Sequence, residues 1–142
     1  MKAARKKTAA APSSQPATSV LPATAELEHK KLFTRFEEAF LTRNMKLMQT
    51  CLSPAFVWHL PNGDAAYGRD AAMAEMRKRF AMPEGPKFAN SVVRFVGNTV
   101  VQTYTVEYRG ADGAWRKSRG MDLYEIADGL IVSKDAFWKL IP

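Results

Sequence analysis

Two ionisable side chains lie among apolar neighbours on predicted strands, where they could do acid–base chemistry. His59 belongs to the aromatic and β-branched run that starts at Phe56, and Asp122 lies between Met121 and Leu123. A histidine titrates near neutrality, so His59 is a usable proton carrier. A carboxylate with apolar neighbours must find a partner or take up a proton. We therefore predict that His59 moves a proton and that Asp122 orients it or stabilises developing charge.

Both residues also have purely structural interpretations. A half-buried histidine that bonds to a backbone carbonyl would explain His59 without any chemistry. Asp122 could instead pair with Arg116, Arg119 or Lys134, or anchor the sheet through a hydrogen bond. Lys134 is predicted to reach the same pocket, where it would favour the ionised form of Asp122. The two would then form a clamp for a polar or anionic ligand.

The remaining reactive residues are weaker candidates for a functional role. Asp135 is predicted to be a solvated strand residue, and Cys51 a buried structural thiol, because no basic residue near it in sequence would activate it. A single cysteine excludes an intrachain disulfide and a multi-cysteine zinc site. With two histidines and no metal-ligand spacing, glycine-rich phosphate loop or Gly-x-Ser-x-Gly motif, we expect neither a metal nor a cofactor.

Three predicted helices come before most of the strands. The first is capped by Thr24, the second is short and ends at Pro54, and the third is capped by Asp70, with residues 77–79 mostly solvated. The first helix has apolar residues at the spacing of one helical face, at Leu32, Phe33, Phe36, Ala39 and Phe40. These helices are expected to pack through such faces.

A strand is predicted in the run that ends at Leu60. Period-2 alternation places Val57 and His59 on one face and Phe56, Trp58 and Leu60 on the other. Four more strands are predicted as an antiparallel meander over residues 88–95, 99–109, 114–127 and 130–140. Segregated helices and a meander predict an α+β fold with helices on one face of a curved sheet.

Length and composition predict one globular domain. The chain has 142 residues, of which 46% are hydrophobic and 25% charged, and a formal net charge of +7. Four basic residues and no acid fall within residues 1–25, so more than half of the excess charge lies there. We predict a disordered Ala/Ser/Pro-rich tail over residues 1–24 and a domain over residues 25–142. No segment has the length and apolarity of a membrane span or a secretory signal, and we expect a cytoplasmic location.

Two motifs and this order of elements resemble one superfamily. Tyr67-Gly68-Arg69-Asp70-Ala71 opens the third predicted helix, and the run from Gly120 to Ile131 ends in an Asp-Gly hairpin. Over about residues 27–140 the chain resembles the NTF2-like (nuclear transport factor 2) superfamily, in its SnoaL-like and ketosteroid-isomerase-like branch. The resemblance implies a cystatin-like cone, with three N-terminal helices on a curved mixed or antiparallel sheet around an apolar pocket. It also implies a homodimer formed through the sheet.

The resemblance assigns positions in that pocket. The carboxylate base of the ketosteroid isomerases falls on His59, and their protonated oxyanion-site acid falls on Asp122. Their tyrosine falls on Phe36, which has no hydroxyl, and a tryptophan of the last strand falls on Trp138. The essential last-strand aspartate of the epoxide hydrolases and cyclases falls on Ala136. Phe36 lacks the hydroxyl and Ala136 lacks the carboxylate that these enzymes have, which favours the alternative of a non-enzymatic module.

We therefore predict a SnoaL-like small-molecule pocket protein. It would be an isomerase, lyase or hydrolase that acts without a cofactor on an apolar carbonyl or epoxide compound, with His59 and Asp122 catalytic. The expected pocket lining is Phe36, Tyr124, Lys134 and Trp138. The alternative is a non-catalytic ligand-binding or dimerisation module of the same fold. Expected partners are a small apolar ligand and a second copy of the chain, with no membrane and no nucleic acid beyond weak contact through the basic tail.

Overall fold

The computed structural model describes residues 22–142, so all but the last three residues of the predicted tail lie outside the described residues. Within that part of the chain the elements are α1 (Ala23–Leu41), α2 (Met45–Cys51), β1 (Leu52–His59), β2 (Ala65–Tyr67), α3 (Arg69–Phe80), β3 (Lys87–Val96), β4 (Thr99–Arg109), β5 (Trp115–Ala127) and β6 (Leu130–Leu140). α1 begins at Ala23, two residues before the predicted domain boundary at residue 25. No helix of residues 22–142 is long and apolar enough to cross a membrane.

The strands form one six-stranded mixed sheet in the order β2-β1-β6-β5-β4-β3. β1 runs parallel to β6, and every other neighbouring pair is antiparallel. The predicted α+β class, the meander from β3 to β6 and the helices packed on the sheet are confirmed. β2 was not predicted, because it is a three-residue edge strand that directly follows a turn.

The apolar face of α1 packs on one face of this sheet. The rings of Phe33 and Phe36 lie 4.9 and 5.4 Å from the ring of Tyr124 on β5. Burying side chains of this size contributes about 1.5–3 kcal/mol each. This side of the sheet is named the inner face here, and the opposite side the outer face. Inner-face residues of the last three strands include Tyr104, Asp122, Tyr124, Lys134 and Trp138.

Three predicted local details are wrong. Thr24 does not cap α1, because Pro22 is the N-cap and its carbonyl accepts from the backbone N–H groups of Ala25 and Glu26. Asp70 lies in the first turn of α3, whose N-cap is the preceding glycine at residue 68. Pro54 lies within β1, where the pairing with β6 shifts register, and this irregularity accommodates a residue without an N–H.

The β5–β6 hairpin sets which side chains reach the inner face. Asp128 and Gly129 form its two-residue turn with φ of 52° and 74°, the positive values of a type I′ turn. The turn aligns Ala127 with Leu130 and Ile126 with Ile131, and a one-residue β-bulge between Ile126 and Glu125 then shifts the register. Tyr124 therefore lies opposite Lys134, and Asp122 lies opposite Ala136. Because side chains alternate along a strand, a one-residue slip would move these groups to the outer face.

Candidate functional site

A cavity opens between α1, β3 and the inner face of the sheet. It consists of two adjoining chambers with volumes of about 390 and 240 Å³, named the first and the second chamber here. Six residues line both chambers: Phe40, Leu41, Phe88, Tyr104, Asp122 and Lys134. The first chamber is also lined by Phe36, Glu37, Gln102 and Tyr124. The second is also lined by Arg43, Trp58, Arg79 and Trp138.

Asp122 is the polar centre of the cavity, and only 4% of it is exposed. The hydroxyl of Tyr104 donates to its Oδ1 over 2.7 Å, and the hydroxyl of Tyr124 lies 3.3 Å from its Oδ2. The Nζ of Lys134 lies 3.6 Å from the same Oδ2. A buried carboxylate is stable only when it is paired and hydrogen-bonded, and Asp122 has both kinds of partner.

Tyr104 links Asp122 to the last strand. Its hydroxyl accepts a hydrogen bond of 2.8 Å from the indole Nε1 of Trp138 while it donates to Asp122. Tyr104 lies directly opposite Gly120 across the β4–β5 ladder. A Cβ at position 120 would collide with the tyrosine ring, so the ring can lie across β5 only because a glycine stands there.

Tyr124 has one hydroxyl proton and two acceptors within reach. Gln102 Oε1 lies 3.2 Å away, and Asp122 Oδ2 lies at nearly the same distance. Burial, followed by the negative charge of Asp122, raises the pKa of Tyr124 and of Tyr104 well above that of a free tyrosine. Both hydroxyls therefore keep their protons and remain hydrogen-bond donors at physiological pH.

Lys134 places a positive charge among aromatic rings. Its Nζ lies 5.1 Å from the ring centre of Trp58, 5.5 Å from that of Phe40 and 5.6 Å from that of Tyr124. Only 8% of Lys134 is exposed. Ring faces attract a cation, so these contacts and Asp122 together offset the loss of hydration. The ammonium group faces both chambers and can donate to an oxygen in either of them.

Glu37 is a site residue that the sequence analysis missed. It is half-buried, lines the first chamber and lies near enough to Tyr124 to raise its pKa further. Burial raises the pKa of the Glu37 carboxyl above its ordinary value of 4.5. The helical spacing in the sequence could have identified it, since Glu37 follows Phe33 by four residues and so lies at the edge of the apolar face of α1.

His59 does not lie in this cavity. It is exposed on the outer face, where its ring centre is 6.3 Å from that of Tyr67. Asp135, its register partner on β6, lies on the same outer face. This corrects the expectation that His59 and Asp122 share one pocket. The alternation of β1 was predicted correctly, but its apolar side, which includes Trp58, occupies the inner face, so the histidine must point away.

The structure places the predicted pocket residues in the cavity wall. Phe36 and Tyr124 line the first chamber, Trp138 lines the second, and Lys134 lines both. Arg79 was predicted to be mostly solvated, but its side chain is 32% exposed and lines the second chamber. The cavity therefore contains more basic groups than the sequence analysis predicted.

The remaining candidate groups lie away from the cavity. Arg116, offered above as a partner of Asp122, pairs with Asp112 in the β4–β5 loop at 2.8 Å. Cys51 is buried as predicted, and burial raises the pKa of its thiol. Over residues 22–142, no group of three or more His, Cys, Asp or Glu side chains is arranged to hold a metal ion.

The sequence matches one family over most of its length. The sequence model of the SnoaL-like domain family matches residues 33–134. The chain therefore belongs to the SnoaL-like family, and the resemblance inferred from its motifs is confirmed. No curated protein matches the chain.

Solved structures show the same fold at low sequence identity. An NTF2-like protein of unknown function from Cytophaga hutchinsonii is 21% identical, with a TM-score of 0.63 over 78% of this chain and 89% of the other. A protein from Xanthomonas campestris pv. campestris, provisionally assigned as a polyketide cyclase, is 18% identical, with a TM-score of 0.65 over 80% and 91%. One from Kribbella flavida, provisionally assigned as a ketosteroid isomerase, is 15% identical, with a TM-score of 0.63 over 82% and 81%. At these identities the similarity shows the fold alone.

Proposed function

We propose that the cavity binds a small, largely apolar molecule that presents a carbonyl or similar oxygen to Lys134 and Tyr124. The observation that carries this proposal is the buried polar cluster around Asp122 in the wall of an otherwise aromatic cavity. Ligand sites of this type combine an apolar lining with a few convergent polar groups. The smallest of them have a volume of about 300 Å³. The first chamber, at about 390 Å³, falls in that range.

The polar groups suit an oxygen acceptor on the ligand. Lys134 donates up to three hydrogen bonds, and Asp122 uses only part of that capacity. The hydroxyl proton of Tyr124 can turn from Gln102 or Asp122 towards a ligand oxygen, because both acceptors lie at 3.2 Å or more. Phe36, whose ring has no polar atom, supplies apolar wall beside them.

Two neutral probes test this proposal. We expect 2-acetonaphthone and 2-ethylnaphthalene, which differ in the carbonyl, both to bind saturably when titrated by calorimetry. Tyr124→Phe should weaken only the ketone, by about three- to tenfold, the range of one lost hydrogen bond. The matched control is Tyr67→Phe on the outer face, where the tyrosine is 72% exposed. Saturable binding of neither probe would overturn the proposal.

A second candidate function is acid–base catalysis in the same cavity. Its support is Glu37, a carboxyl in the wall of the first chamber whose pKa is raised by burial and which is therefore a stronger base when ionised. Glu37 would take a proton from the carbon next to a bound carbonyl, whose oxygen would gain negative charge opposite Lys134 and Tyr124. The provisional assignments of two similar structures as a cyclase and an isomerase are in keeping with such chemistry.

Hydrogen exchange separates binding from catalysis. The protein should accelerate exchange of the methyl hydrogens of bound 2-acetonaphthone into D₂O, observed by NMR. Because the base is the ionised form, the rate should rise with pH through a pKa above 4.5. Glu37→Gln should abolish the acceleration, and Glu38→Gln, on the exposed side of α1, should not. If exchange in the presence of protein equals exchange in buffer, Glu37 is no base and the binding function remains.

A further inference from the structure

We propose that the second chamber is a subsite for the carboxylate of an apolar organic acid, an inference that rests on the proposed binding function. Its wall contains three cationic side chains, Arg43, Arg79 and Lys134, and one anionic side chain, Asp122. Lys134 and the two tyrosine hydroxyls already compensate Asp122. Glu75 compensates Arg79 through an ion pair of 3.2 Å, so Arg43 leaves this chamber with a positive surplus that the first chamber lacks.

The two arginines reach the chamber from different elements. Arg43, in the turn after α1, donates from Nη1 to the carbonyl of Phe80 over 2.8 Å and stands at the exposed rim. Arg79, on α3, is half-buried and lies deeper, with its guanidinium carbon 5.3 Å from the ring centre of Trp58. A guanidinium has five N–H donors, so both retain donors for a ligand. Their planar forks suit the two oxygens of a carboxylate.

Two residues of this wall carry a buried N–H group that has no hydrogen-bond acceptor within residues 22–142. These groups are Nε1 of Trp58 and Nε of Arg79. Arg79 Nε lies 3.2 Å from Glu75 Oε1, but this ion pair lacks the geometry of a hydrogen bond. Trp58 is only 6% exposed, so the indole N–H has little access to water. Buried donors without an acceptor are uncommon in folded proteins, so these two indicate a wall that receives an oxygen-bearing ligand.

The rest of the chamber is apolar. It is lined by Phe40, Met76, Phe80, Pro86, Phe88 and Trp138. A carboxylate fills only a small part of about 240 Å³, so the same ligand must also present an apolar body to these side chains. An aromatic or branched aliphatic acid fits this combination, whereas an inorganic anion would leave the apolar wall without contacts. The body can extend past Asp122 into the first chamber, since six residues line both chambers.

A pair of probes with the same ring system tests the subsite. We expect calorimetry to show that 2-naphthoate binds at least about tenfold more tightly than neutral 2-acetonaphthone. Added salt should reduce this preference, because Arg43 stands at the solvent-exposed rim. Arg79→Gln should reduce the preference to about twofold or less and leave the affinity for the ketone unchanged. The matched control is Lys78→Gln, an exposed neighbour on α3.

A second variant keeps the inference testable if Arg79→Gln does not fold. Arg43→Gln changes an exposed side chain at the rim, removes one cation, and should lower the affinity for naphthoate about threefold or more but not that for the ketone. Equal affinities for the two probes in the unchanged protein, or a preference that survives both variants, would overturn the carboxylate subsite and leave the proposed function standing. Binding of neither probe would overturn the proposed function itself.

Discussion

The two faces of the β1–β6–β5 sheet carry similar ionisable residues but differ in what those residues can do. On the inner face Asp122 and Lys134 are buried 3.6 Å apart and share the cavity with Tyr104. On the outer face His59 is exposed and its register partner Asp135 is half-buried. Water screens charges on the outer face, whereas burial strengthens every interaction on the inner one. Burial therefore decides which pair is a candidate site, even though histidine is the more usual proton carrier.

Matched Asp→Asn variants on the two faces should show the largest difference. Asp122→Asn leaves the buried charge of Lys134 without its counter-charge, so we expect the free energy of unfolding to fall by about 3 kcal/mol. Asp135→Asn should change it by less than about 0.5 kcal/mol. Urea denaturation of both variants measures the contrast. Equal losses would show that burial of the inner pair has no energetic consequence.

Removing both inner charges should cost less than removing one. In Asp122→Asn combined with Lys134→Met no uncompensated charge remains, so we expect at least half of the stability lost in Asp122→Asn to return. The same urea titrations complete the double-mutant cycle. If the double variant is less stable than Asp122→Asn alone, the Asp122–Lys134 contact is not what couples the two residues.

Gly120→Ala should have the next largest effect. The added Cβ meets the ring of Tyr104, so we expect a loss of about 1–3 kcal/mol and a displaced Tyr104–Asp122 hydrogen bond. Met121→Ala, the neighbouring change on the outer face, serves as the control and should cost less. In a Tyr104→Leu background the ring is absent, so Gly120→Ala should then be nearly neutral. An equal loss in both backgrounds would mean that the Tyr104 ring is not what requires the glycine.

A substitution on the outer face should change the oligomeric state of the protein rather than the stability of the folded protomer. Val92, Met121 and Phe137 lie in one cross-strand row that also contains Thr103. The three apolar residues are 45%, 37% and 48% exposed and form a mainly apolar strip. We expect a homodimer through this strip. Phe137→Glu should yield monomers by light scattering at micromolar concentrations, with cavity binding retained, whereas Lys46→Glu on α2 should remain dimeric. A monomeric unchanged protein would exclude this assembly.

The smallest effect is expected at His59. Because its side chain is exposed on the outer face, His59→Gln should change the free energy of unfolding by less than about 0.5 kcal/mol. Its affinity for 2-acetonaphthone and any accelerated hydrogen exchange should equal those of the unchanged protein. A severalfold loss of either would return His59 to the site and reverse the comparison of the two faces.

Periodicity in the sequence predicted most of the fold. The alternation of β5 placed Asp122 and Tyr124 on one side of the sheet. The Asp128–Gly129 turn alone would place Lys134 opposite Leu123, so the β-bulge between Glu125 and Ile126 is needed to bring Lys134 to that side. Short elements without a pattern, such as β2, were missed because three residues show no period. The start of α1 was misplaced because Thr24 is a good cap by residue type, although Pro22 already provides the helix start.

The site was less predictable than the fold, for two physical reasons. His59 was placed in the pocket by family position, although the apolar side of β1 had already been predicted to include Trp58. Arg43 and Arg79 come from a turn and a helix, and only tertiary packing brings them to one chamber. Glu37 could have been found, since it lies one helical turn after Phe33.

The parallel pairing of β1 with β6 has a consequence for the order of folding. β5 and β6 are joined by a two-residue turn, so their hairpin can form within microseconds. β1 pairs Trp58 with Lys134 only after a loop of most of the domain closes, which is slower. Asp122 and Lys134 should therefore meet while still hydrated and lose their water later, when β1 docks and Trp58 covers the ammonium group. The desolvation penalty falls on that late step, so a chain without the two charges should dock β1 faster.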